Sequence, residues 1–374
     1  MNMGRVALAG AFLKPEQFAQ EKKYPLRLMF CESCMAVQLA DVVPRDEMFR
    51  HYFYVSSASK TVDWHARNQA NAICYLRPKS VLEIGCNDGV LLTKLADTGI
   101  RTLVGVDPSN IAGGINDARL QIVNDYFDGG FGEFDVVVAN NVFAHIDDIN
   151  RVTQAVKNSM RPNGVFVMEA HHLGQMIEHL QYDWIYHEHL YYYSLMSLES
   201  HFRRHGMSIF RVEPVKLHGG SMRYFVCKDG RAPEDSVNAL WRQEMAQGLN
   251  LLSTMLGFAT DVVEHQGQLE TVLDDYRNEG RVIAGYGASG RANALMQACG
   301  FDVHYMVDDS PAKHGFYTPG THVHIRPRSE LTANPPDFVL LFAWTYAEEI
   351  MPKIAADVIV PLPRLHVVEQ RIAA

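Results

Sequence analysis

The sequence has no cluster of positive charge. The formal net charge is −9, and no run of Lys or Arg occurs in the 374 residues. Such an acidic chain is repelled by the phosphate backbone of nucleic acids and by anionic membrane surfaces. We therefore expect neither a nucleic acid nor a membrane as its main partner.

Long apolar stretches and a disulfide framework are also missing. No stretch reaches the roughly 18 uninterrupted apolar residues that a membrane helix needs, and the first residues are charged too soon for a secretory signal. Most of the six cysteines stand alone in apolar surroundings, and only Cys31 and Cys34 form a motif. We predict a cytoplasmic protein with reduced thiols.

Length and patterning predict two large units and a small appendage, since 374 residues exceed what one core usually organises. From Ser80, short runs of Val, Leu and Ile alternate with helical segments, as in a parallel sheet covered by helices. The same order returns after a helical stretch from about Pro233 to Glu279. The fold class predicted is α/β, with an irregular N-terminal cap at 1–75, a first α/β unit at 76–205 and a C-terminal domain at 206–374 that contains a second, smaller α/β unit.

A glycine turn at residues 83–89, EIGCNDG, joins a predicted strand to a predicted helix, so backbone N–H groups face its ligand. The turn lacks two glycines of the dinucleotide fingerprint, and Glu83 stands before Gly85. Acids there disfavour a pyrophosphate and favour a cationic ligand with a free amino group. Asp107 ends the next strand, where this class of fold binds ribose hydroxyls. A plain tight loop is the alternative interpretation of the turn alone.

Ribose recognition without phosphate recognition resembles the class I S-adenosylmethionine-dependent methyltransferases, which have a Rossmann-like domain. In that class the E-x-G-x-x-x-G turn holds the methionine part of the cofactor and the acid holds its ribose. The resemblance implies cofactor contacts at the turn, at the acid, on the adenine side and beside the sulfonium: Glu83, Gly85, Asn87, Asp107, Asp125, Tyr126, Phe127, Asn140 and Asn141.

Residues 182–193, YDWIYHEHLYYY, contain two histidines, two acids and five tyrosines. They follow a predicted strand and so lie at the edge of the sheet where open α/β folds bind ligands. Methylation of a carbon requires removal of a proton next to a carbonyl, for which histidine is a suitable base and tyrosine a donor to the oxyanion. A zinc site at His187 and His189, or a structural aromatic cluster, is the alternative, although no third ligand stands at close spacing.

Six segments in this order resemble the nucleotide-sugar C-methyltransferases of deoxysugar biosynthesis: EIGCNDGVLL, NVFAHIDD, YDWIYHEHLYYYSL, HGGSMR, GYGASGRAN and VDDSPAKHG. The resemblance covers nearly the whole chain. It implies methyl transfer from S-adenosylmethionine to a ring carbon of a nucleotide-linked keto-sugar. It also implies that His189 is the general base, that Tyr186 and Glu188 position the substrate or this base, and that His145 assists at the sugar oxygens.

The resemblance also implies where the sugar and its diphosphate bind. The HGGSMR loop would line the site of the sugar and its diphosphate with five residues: His218, Gly219, Gly220, Ser221 and Arg223. The C-terminal turn GYGASG satisfies the dinucleotide fingerprint and taken alone predicts NAD. In the family this unit holds the nucleotide-sugar, which places Gly287 and Arg291 near phosphate. A vestigial, empty turn is the alternative.

The N-terminus departs from the family, which begins with two Cys-x-x-Cys pairs that chelate zinc. Only Cys31 and Cys34 are present, His51 is the only near additional candidate, and two thiolates cannot close a tetrahedral site. We predict no zinc. A patch just downstream matches the family segment that folds over the cofactor, or is an ordinary capping loop: Tyr52, Tyr54, Ser56, Ser57 and Ser59. Tyr54 is the predicted cofactor contact.

Two other functions remain open at this point. One keeps the fold but methylates an oxygen, a nitrogen or a non-sugar ketone. The other is a non-catalytic family member that binds the cofactor. With both α/β units on one chain, a monomer is compatible with either.

Overall fold

The structure, a computed structural model, describes residues 1–49, residue 56 and residues 60–370. The predicted cofactor contact Tyr54 and the neighbouring His51 lie outside these residues, so the expectation for Tyr54 stays a prediction.

The described residues form seventeen strands and eleven α-helices, besides short 3-10 helices. The strands are β1 (Asn2–Ala7), β2 (Lys23–Phe30), β3 (Val37–Leu39), β4 (Ser80–Ile84), β5 (Thr102–Val106), β6 (Gln121–Val123), β7 (Phe134–Asn140), β8 (Met160–His171), β9 (Tyr191–Tyr192), β10 (Ser208–Val215), β11 (Ser221–Cys227), β12 (Ile283–Tyr286), β13 (Tyr305–Asp308), β14 (Ile325–Pro327), β15 (Phe338–Leu341), β16 (Asp357–Val360) and β17 (His366–Val368). The helices are α1 (Asp46–Phe49), α2 (Lys60–Cys74), α3 (Val90–Asp97), α4 (Ile149–Asn158), α5 (Leu173–Glu178), α6 (Leu195–Arg204), α7 (Asp235–Ala246), α8 (Leu252–Asn278), α9 (Gly290–Cys299), α10 (Glu330–Ala333) and α11 (Ala347–Ile350).

A seven-stranded sheet forms the first α/β unit, in the order β10-β11-β8-β7-β4-β5-β6. The five strands from β8 to β6 are parallel, and β11 is antiparallel to both of its neighbours. The chain builds β5 and β6 on one side of β4 and then crosses to β7 on the other. Open α/β sheets bind ligands at such a switch point, outside the carboxyl ends of the strands.

The strands of this sheet are buried on both faces, as their unbroken apolar runs predict. All five residues of β4 are buried, including Glu83 at its carboxyl end. The apolar side chains pack into two clusters that contain, among others, Leu82 and Phe166 on one side and Val81 and Val167 on the other. Two packed faces fix the sheet rigidly, so the residues at its carboxyl edge have fixed positions.

A six-stranded sheet forms the second α/β unit, in the order β14-β13-β12-β15-β16-β17. Its first five strands are parallel, and β17 is antiparallel to β16. The chain again moves outward from β12 to β13 and β14 before crossing to β15. The switch point therefore lies at the carboxyl end of β12, directly before the glycine turn that begins at Gly287.

The N-terminal region is more regular than the sequence indicates. Strands β1, β2 and β3 join β9 in a four-stranded antiparallel sheet. Because β9 directly follows the segment YHEHL, pairing with β3 attaches the N-terminal region to that segment. Side chains of α9 bind it on the other side: Gln297 and Asn293 hydrogen-bond to the backbone of Ala7 and Ala9.

The division of the chain at residue 206 stays a prediction, but the hydrogen bonding of the first sheet continues across it. Strands β10 and β11 lie beyond residue 206 and pair with β8. Helices α7 and α8 then occupy the stretch that the sequence assigns to a helical arm.

Candidate active site

One cavity of about 1030 Å³ lies between the carboxyl edges of the two sheets. It is lined by the glycine turn after β4, by the turn after β12 and by the segment that carries Tyr186 and His189. The cavity is therefore continuous from the first unit to the second.

The turn after β4 brings the backbone close to the cavity. Gly85 has φ +72°, and a Cβ at this position would lie 2.7 Å from Cγ2 of Val142, so only glycine fits. Its N–H donates to the carbonyl of Val106 at 2.8 Å. The N–H of Asn87 donates to Oδ2 of Asp107 at 2.9 Å, which links the turn to the acid at the end of β5.

Glu83 is the most unusual group of this turn. The side chain is 4% exposed, and Oε2 has no hydrogen-bond partner among the described residues. Burial and the nearby carboxylates of Asp107 and Asp88 raise the pKa of Glu83 well above its usual range. A buried carboxyl with an unused oxygen beside other acids fits a ligand that brings a positive charge and N–H donors.

The structure places eight of the nine cofactor residues expected in the described chain along this cavity: Glu83, Gly85, Asn87, Asp107, Tyr126, Phe127, Asn140 and Asn141. Asp125 does not line it, and its side chain instead accepts a hydrogen bond from the N–H of Tyr126 at 2.8 Å. The ring of Tyr126 is held by Arg45, which lies 3.9 Å over its centre.

His189 lines the same cavity and is 8% exposed. Its Nδ1 lies 2.9 Å from the backbone carbonyl of Trp184. Because a carbonyl only accepts, Nδ1 carries the hydrogen and Nε2 keeps its lone pair. Burial lowers the pKa of His189 to about 4. The ring is therefore neutral at pH 7, with an unprotonated nitrogen.

Aromatic groups surround this imidazole. The ring centres of Tyr186 and His145 lie 4.3 Å and 5.1 Å from that of His189, and the ring of Trp184 stacks on it at 5.0 Å. Burial and the neighbouring His189 lower the pKa of His145 well below its usual value, whereas burial raises the pKa of Tyr186. Both side chains are thus neutral and can form hydrogen bonds in the cavity.

Glu188 also lines the cavity and is 8% exposed. A Cβ on Gly10 would lie 2.9 Å from its Oε1, so the N-terminal backbone passes directly against this carboxylate. The absence of a side chain at Gly10 leaves the space that Glu188 occupies.

The second glycine turn repeats the backbone of the first without its acid. Gly287 has φ +96°, and its N–H donates to the carbonyl of Val307 at 2.8 Å. Two residues earlier stands Gly285, where the first turn has Glu83. Ser289 caps α9 by accepting from the N–H of Ala292 at 3.2 Å. Nζ of Lys313 lies 3.1 Å from Oδ2 of Asp308, so this acid is paired.

Arg291 lines the cavity, but its guanidinium already has a partner. Nε and Nη2 donate to Oδ2 of Asp183 at 2.9 Å and 2.6 Å. The guanidinium lies 4.9 Å from the ring centres of both Trp184 and Trp344. In this structure Arg291 joins the second unit to the segment that carries the histidines. Its predicted contact with phosphate stays a prediction.

The HGGSMR loop is only partly at the cavity. His218 lines it, whereas Gly219 and Gly220 form the turn between β10 and β11 with φ +84° and +118°. Ser221 donates to the carbonyl of Leu217 at 3.1 Å.

Arg223 requires a correction. It is 6% exposed, and its guanidinium bonds to Glu169 at 2.5 Å and to Glu213 at 2.9 Å. These acids stand opposite Arg223 on the two neighbouring strands. A guanidinium committed to two carboxylates inside the sheet does not provide the predicted contact with phosphate.

The sequence interpretation missed one face of α2. His65 and Gln69 line the cavity, and Glu169 lines it from the end of β8. Gln69 exchanges two hydrogen bonds with Asn140, at 2.6 Å and 2.9 Å. His65 and Gln69 are four residues apart and therefore lie on one face of α2. This spacing is the sequence feature that indicates a shared surface.

Cys31 and Cys34 follow β2 and form the one Cys-x-x-Cys pair of this chain, and both thiols are free. Among residues 1–49, 56 and 60–370, no group of three or more His, Cys, Asp or Glu side chains is arranged to hold a metal ion. The expectation of no zinc stays a prediction.

Three family models match successive parts of the chain. Residues 1–49 match a "putative zinc binding domain", residues 50–212 a methyltransferase domain and residues 216–363 a C-methyltransferase C-terminal domain. C-methyltransferase NovU of Streptomyces niveus is 31% identical over 98% of this chain and 93% of its own length. A ubiquinone biosynthesis O-methyltransferase of Erwinia tasmaniensis is 30% identical over 28% of this chain and 45% of its own.

Solved structures of other methyltransferases resemble part of the chain. The CcbJ methyltransferase of Streptomyces caelestis has a TM-score of 0.35 at 16% identity, over 45% of this chain and 90% of its own. Magnesium protoporphyrin IX methyltransferase of Synechocystis, solved with bound SAH, has a TM-score of 0.36 at 14% identity, over 44% of this chain and 82% of its own.

The fold and the cavity, together with the matched methyltransferase domain, define a class I S-adenosylmethionine-dependent methyltransferase. The chain belongs to the C-methyltransferase family that includes NovU. The family expected from the sequence is therefore confirmed. Within the described residues, no helix has the length and apolar character to cross a membrane.

Proposed function

We propose that the protein transfers a methyl group to a carbon next to the carbonyl of a nucleotide-linked keto-deoxysugar. The observation that carries this proposal is His189, a neutral imidazole whose Nε2 is unprotonated in a cavity shared by two glycine turns. A carbon acceptor needs such a base because its C–H must lose a proton before it becomes a nucleophile.

The first turn fits S-adenosylmethionine. Glu83, with its unused oxygen, suits the amino group of the methionine part, and Asp107 suits ribose hydroxyls at the end of β5. Asn140 and Asn141 line the cavity beside them. Bound there, the cofactor supplies a methyl group on a positively charged sulfur. The close approach at Gly85 lets the backbone contact this ligand.

His189 takes the proton from the sugar carbon on Nε2. The hydrogen bond from Nδ1 to the carbonyl of Trp184 fixes the tautomer and then stabilises the imidazolium that forms. The rings of Tyr186 and His145 lie next to this imidazole, and their hydroxyl and ring nitrogens supply hydrogen bonds to the sugar oxygens. Glu188 lines the same wall and positions the substrate.

The second turn fits the diphosphate of the nucleotide. Gly287, Ser289 and Gly290 line the cavity at the amino end of α9, a ten-residue helix whose N–H groups and dipole favour anions. No carboxylate stands where the first turn has Glu83, and Lys313 balances the charge of Asp308 beside the turn. His218 lines the same cavity, which also holds the sugar ring in this proposal.

The test combines two measurements on the same protein. The enzyme is incubated in deuterated water with S-adenosylhomocysteine and a nucleotide-linked 4-keto-deoxysugar, and deuterium at the ring carbon is followed by proton NMR. A second reaction contains S-adenosylmethionine, and the product should show a methyl signal on carbon. No exchange and no methylated sugar, or a methyl group on oxygen or nitrogen, would refute the proposal.

A further inference from the structure

The cavity is lined by a fourth histidine, His65, which the proposed reaction does not yet use. His65 lies on α2, its side chain is 12% exposed, and it lines the cavity. Its Nε2 lies 2.7 Å from Oε2 of Glu169. Because a carboxylate only accepts hydrogen bonds, Nε2 of His65 carries a hydrogen and Nδ1 is the second polar atom of the ring.

Arg223 holds the carboxylate of Glu169 in place. It is fully buried, and Nε of Arg223 donates to its Oε1 at 2.5 Å. Burial alone would raise the pKa of Glu169, but the hydrogen bond from His65 and the charge of Arg223 outweigh it, and the pKa lies below its usual value. The acid is thus ionised at neutral pH, and His65, Glu169 and Arg223 form one line of charge-assisted hydrogen bonds.

His65 lines the cavity together with residues assigned to the cofactor and to the sugar. On the same helix, Gln69 bonds to Asn140, a cofactor residue. His218 lines the cavity as well, and burial, followed by the charges of Arg291 and His65, lowers its pKa to about 3. His65 therefore shares the cavity with both sets of residues.

The histidines of this cavity differ in their partners. In the part of the chain that the structure describes, His65 is the cavity histidine that hydrogen-bonds to a carboxylate, whereas His189 bonds to a backbone carbonyl. Burial keeps His145, His189 and His218 neutral, whereas the negative charge of Glu169 lies next to His65. His65 is thus the imidazole best placed to meet a developing negative charge.

We propose that His65 is a second catalytic residue, which donates a hydrogen bond to the carbonyl oxygen of the acceptor while His189 removes the proton. This inference rests on the proposed function. As the C–H bond breaks, its proton moves to Nε2 of His189 and its electron pair becomes an enolate. For this role His65 carries hydrogens on both ring nitrogens, and the enolate oxygen accepts from its Nδ1–H. Nε2–H of His65 stays on Glu169, and Glu169 and Arg223 are positioning residues.

The experiment measures proton exchange and cofactor affinity on the same variants. His65→Gln and Glu169→Gln are compared with the wild type by deuterium exchange into the keto-sugar in the presence of S-adenosylhomocysteine, and by calorimetry with S-adenosylhomocysteine alone. Removing one donor to an oxyanion typically costs about 100-fold or more in rate. We expect that loss in exchange for His65→Gln, a smaller loss for Glu169→Gln, and affinities within about threefold of wild type.

His172→Gln is the matched control. His172 also pairs with a buried acid, since its Nε2 lies 2.8 Å from Glu244, but it does not line the cavity. This variant should lose stability and keep the exchange rate per folded molecule. Glu169→Gln keeps the imidazole and a hydrogen-bonding group toward Arg223, so it tests the inference even where His65→Gln folds poorly.

Three results would overturn the inference. Exchange at the wild-type rate in His65→Gln would make this residue part of a structural helix face. A fall in cofactor affinity that matches the fall in exchange would make it a cofactor contact. A wild-type protein that exchanges no deuterium would instead refute the proposed function, and the inference with it, so the two failures are distinguishable.

Discussion

The two glycine turns of this chain have the same backbone and opposite electrostatics. In each, the glycine after the strand has a positive φ and donates to the carbonyl of a valine near the end of the neighbouring strand, Val106 or Val307, at 2.8 Å in both cases. An aspartate ends that neighbouring strand in each unit, and Oδ1 of Asp107 and of Asp308 accepts from the N–H two residues later at 2.8 Å. The two turns therefore share the same backbone conformation and backbone hydrogen bonds.

What differs is one position and one counter-ion. The residue two before the glycine is Glu83 in the first turn and Gly285 in the second. Asp107 bonds to backbone N–H groups, whereas Asp308 is also paired with Lys313. The first turn presents the carboxyl groups of Glu83 and Asp107 and fits a cation. The second lacks the first acid, its Asp308 is paired with Lys313, and its N–H groups fit an anion. A glycine pattern thus fixes the turn, and the side chains around it select the ligand.

The largest expected effect concerns His189, which lies between the turns. His189→Asn should lower the rate of deuterium exchange into the keto-sugar by about 10²–10⁴-fold, because the base is lost. The affinities for S-adenosylhomocysteine and for a nucleoside diphosphate should be unchanged in calorimetry.

His187→Asn is the matched control for this variant. Nε2 of His187 lies 3.1 Å from the carbonyl of Pro25, and the side chain does not line the cavity. Its exchange rate should stay near that of the wild type. Loss of cofactor affinity in His189→Asn would show that this residue is structural.

The next effect separates the two turns directly. A Cβ on Gly85 would lie 2.7 Å from Val142 and one on Gly287 would lie 2.9 Å from Ala343, each at a positive φ. Gly85→Ala should weaken binding of S-adenosylhomocysteine by about 100-fold and spare that of uridine or thymidine diphosphate, and Gly287→Ala should do the reverse.

Gly99→Ala controls for the backbone strain in this pair. Gly99 also has a positive φ, but a Cβ there would meet nothing within 4 Å. Gly99→Ala should change neither the affinity for S-adenosylhomocysteine nor that for the nucleoside diphosphate. If either turn variant weakens both ligands equally, the two turns do not divide the ligands between them.

A smaller effect tests the charge difference. Glu83→Gln should weaken S-adenosylhomocysteine about tenfold, since hydrogen bonds to charged groups contribute ~1.5–3 kcal/mol. Lys313→Met should weaken the nucleoside diphosphate by a similar factor. Because the pKa of Glu83 is raised, an ammonium ligand should release a proton from it, which calorimetry in buffers of different ionisation enthalpy detects.

The two variants serve as controls for each other, since each should leave the other ligand unaffected. Proton release that persists in Glu83→Gln would assign the released proton to another group. Unchanged cofactor affinity in that variant would mean that the acid does not contact the ligand.

The smallest effect is on stability in acid. Burial lowers the pKa of His189 to about 4 and of His218 to about 3, from about 6.5 in an unfolded chain. The unfolded chain therefore binds more protons below pH 6.5, so the free energy of unfolding should fall as the pH drops from 7 to 5. Denaturant unfolding at the two pH values measures this change, and His218→Gln should reduce it. A free energy of unfolding that does not change between these pH values would contradict the burial of these rings.

The sequence by itself determined the parts of the site that depend on local spacing. A strand, a glycine turn and a helix follow one another within about ten residues, and the acid that ends the next strand comes at a fixed distance, so both turns were found from the pattern. The segment at residues 182–193 was noticed for its many histidines, acids and tyrosines. The role of His189 as the base comes from the resemblance to the family and stays a prediction.

Only the tertiary structure decided which charged groups are available. Arg223 and Glu169 are 54 residues apart, and Arg291 and Asp183 are 108 residues apart. The sequence names these residue types but not their partners, so two arginines that suit phosphate proved to be paired with acids. The line from His65 through Glu169 to Arg223 was hidden for the same reason, because three distant segments meet there only after the sheet and α2 have packed together.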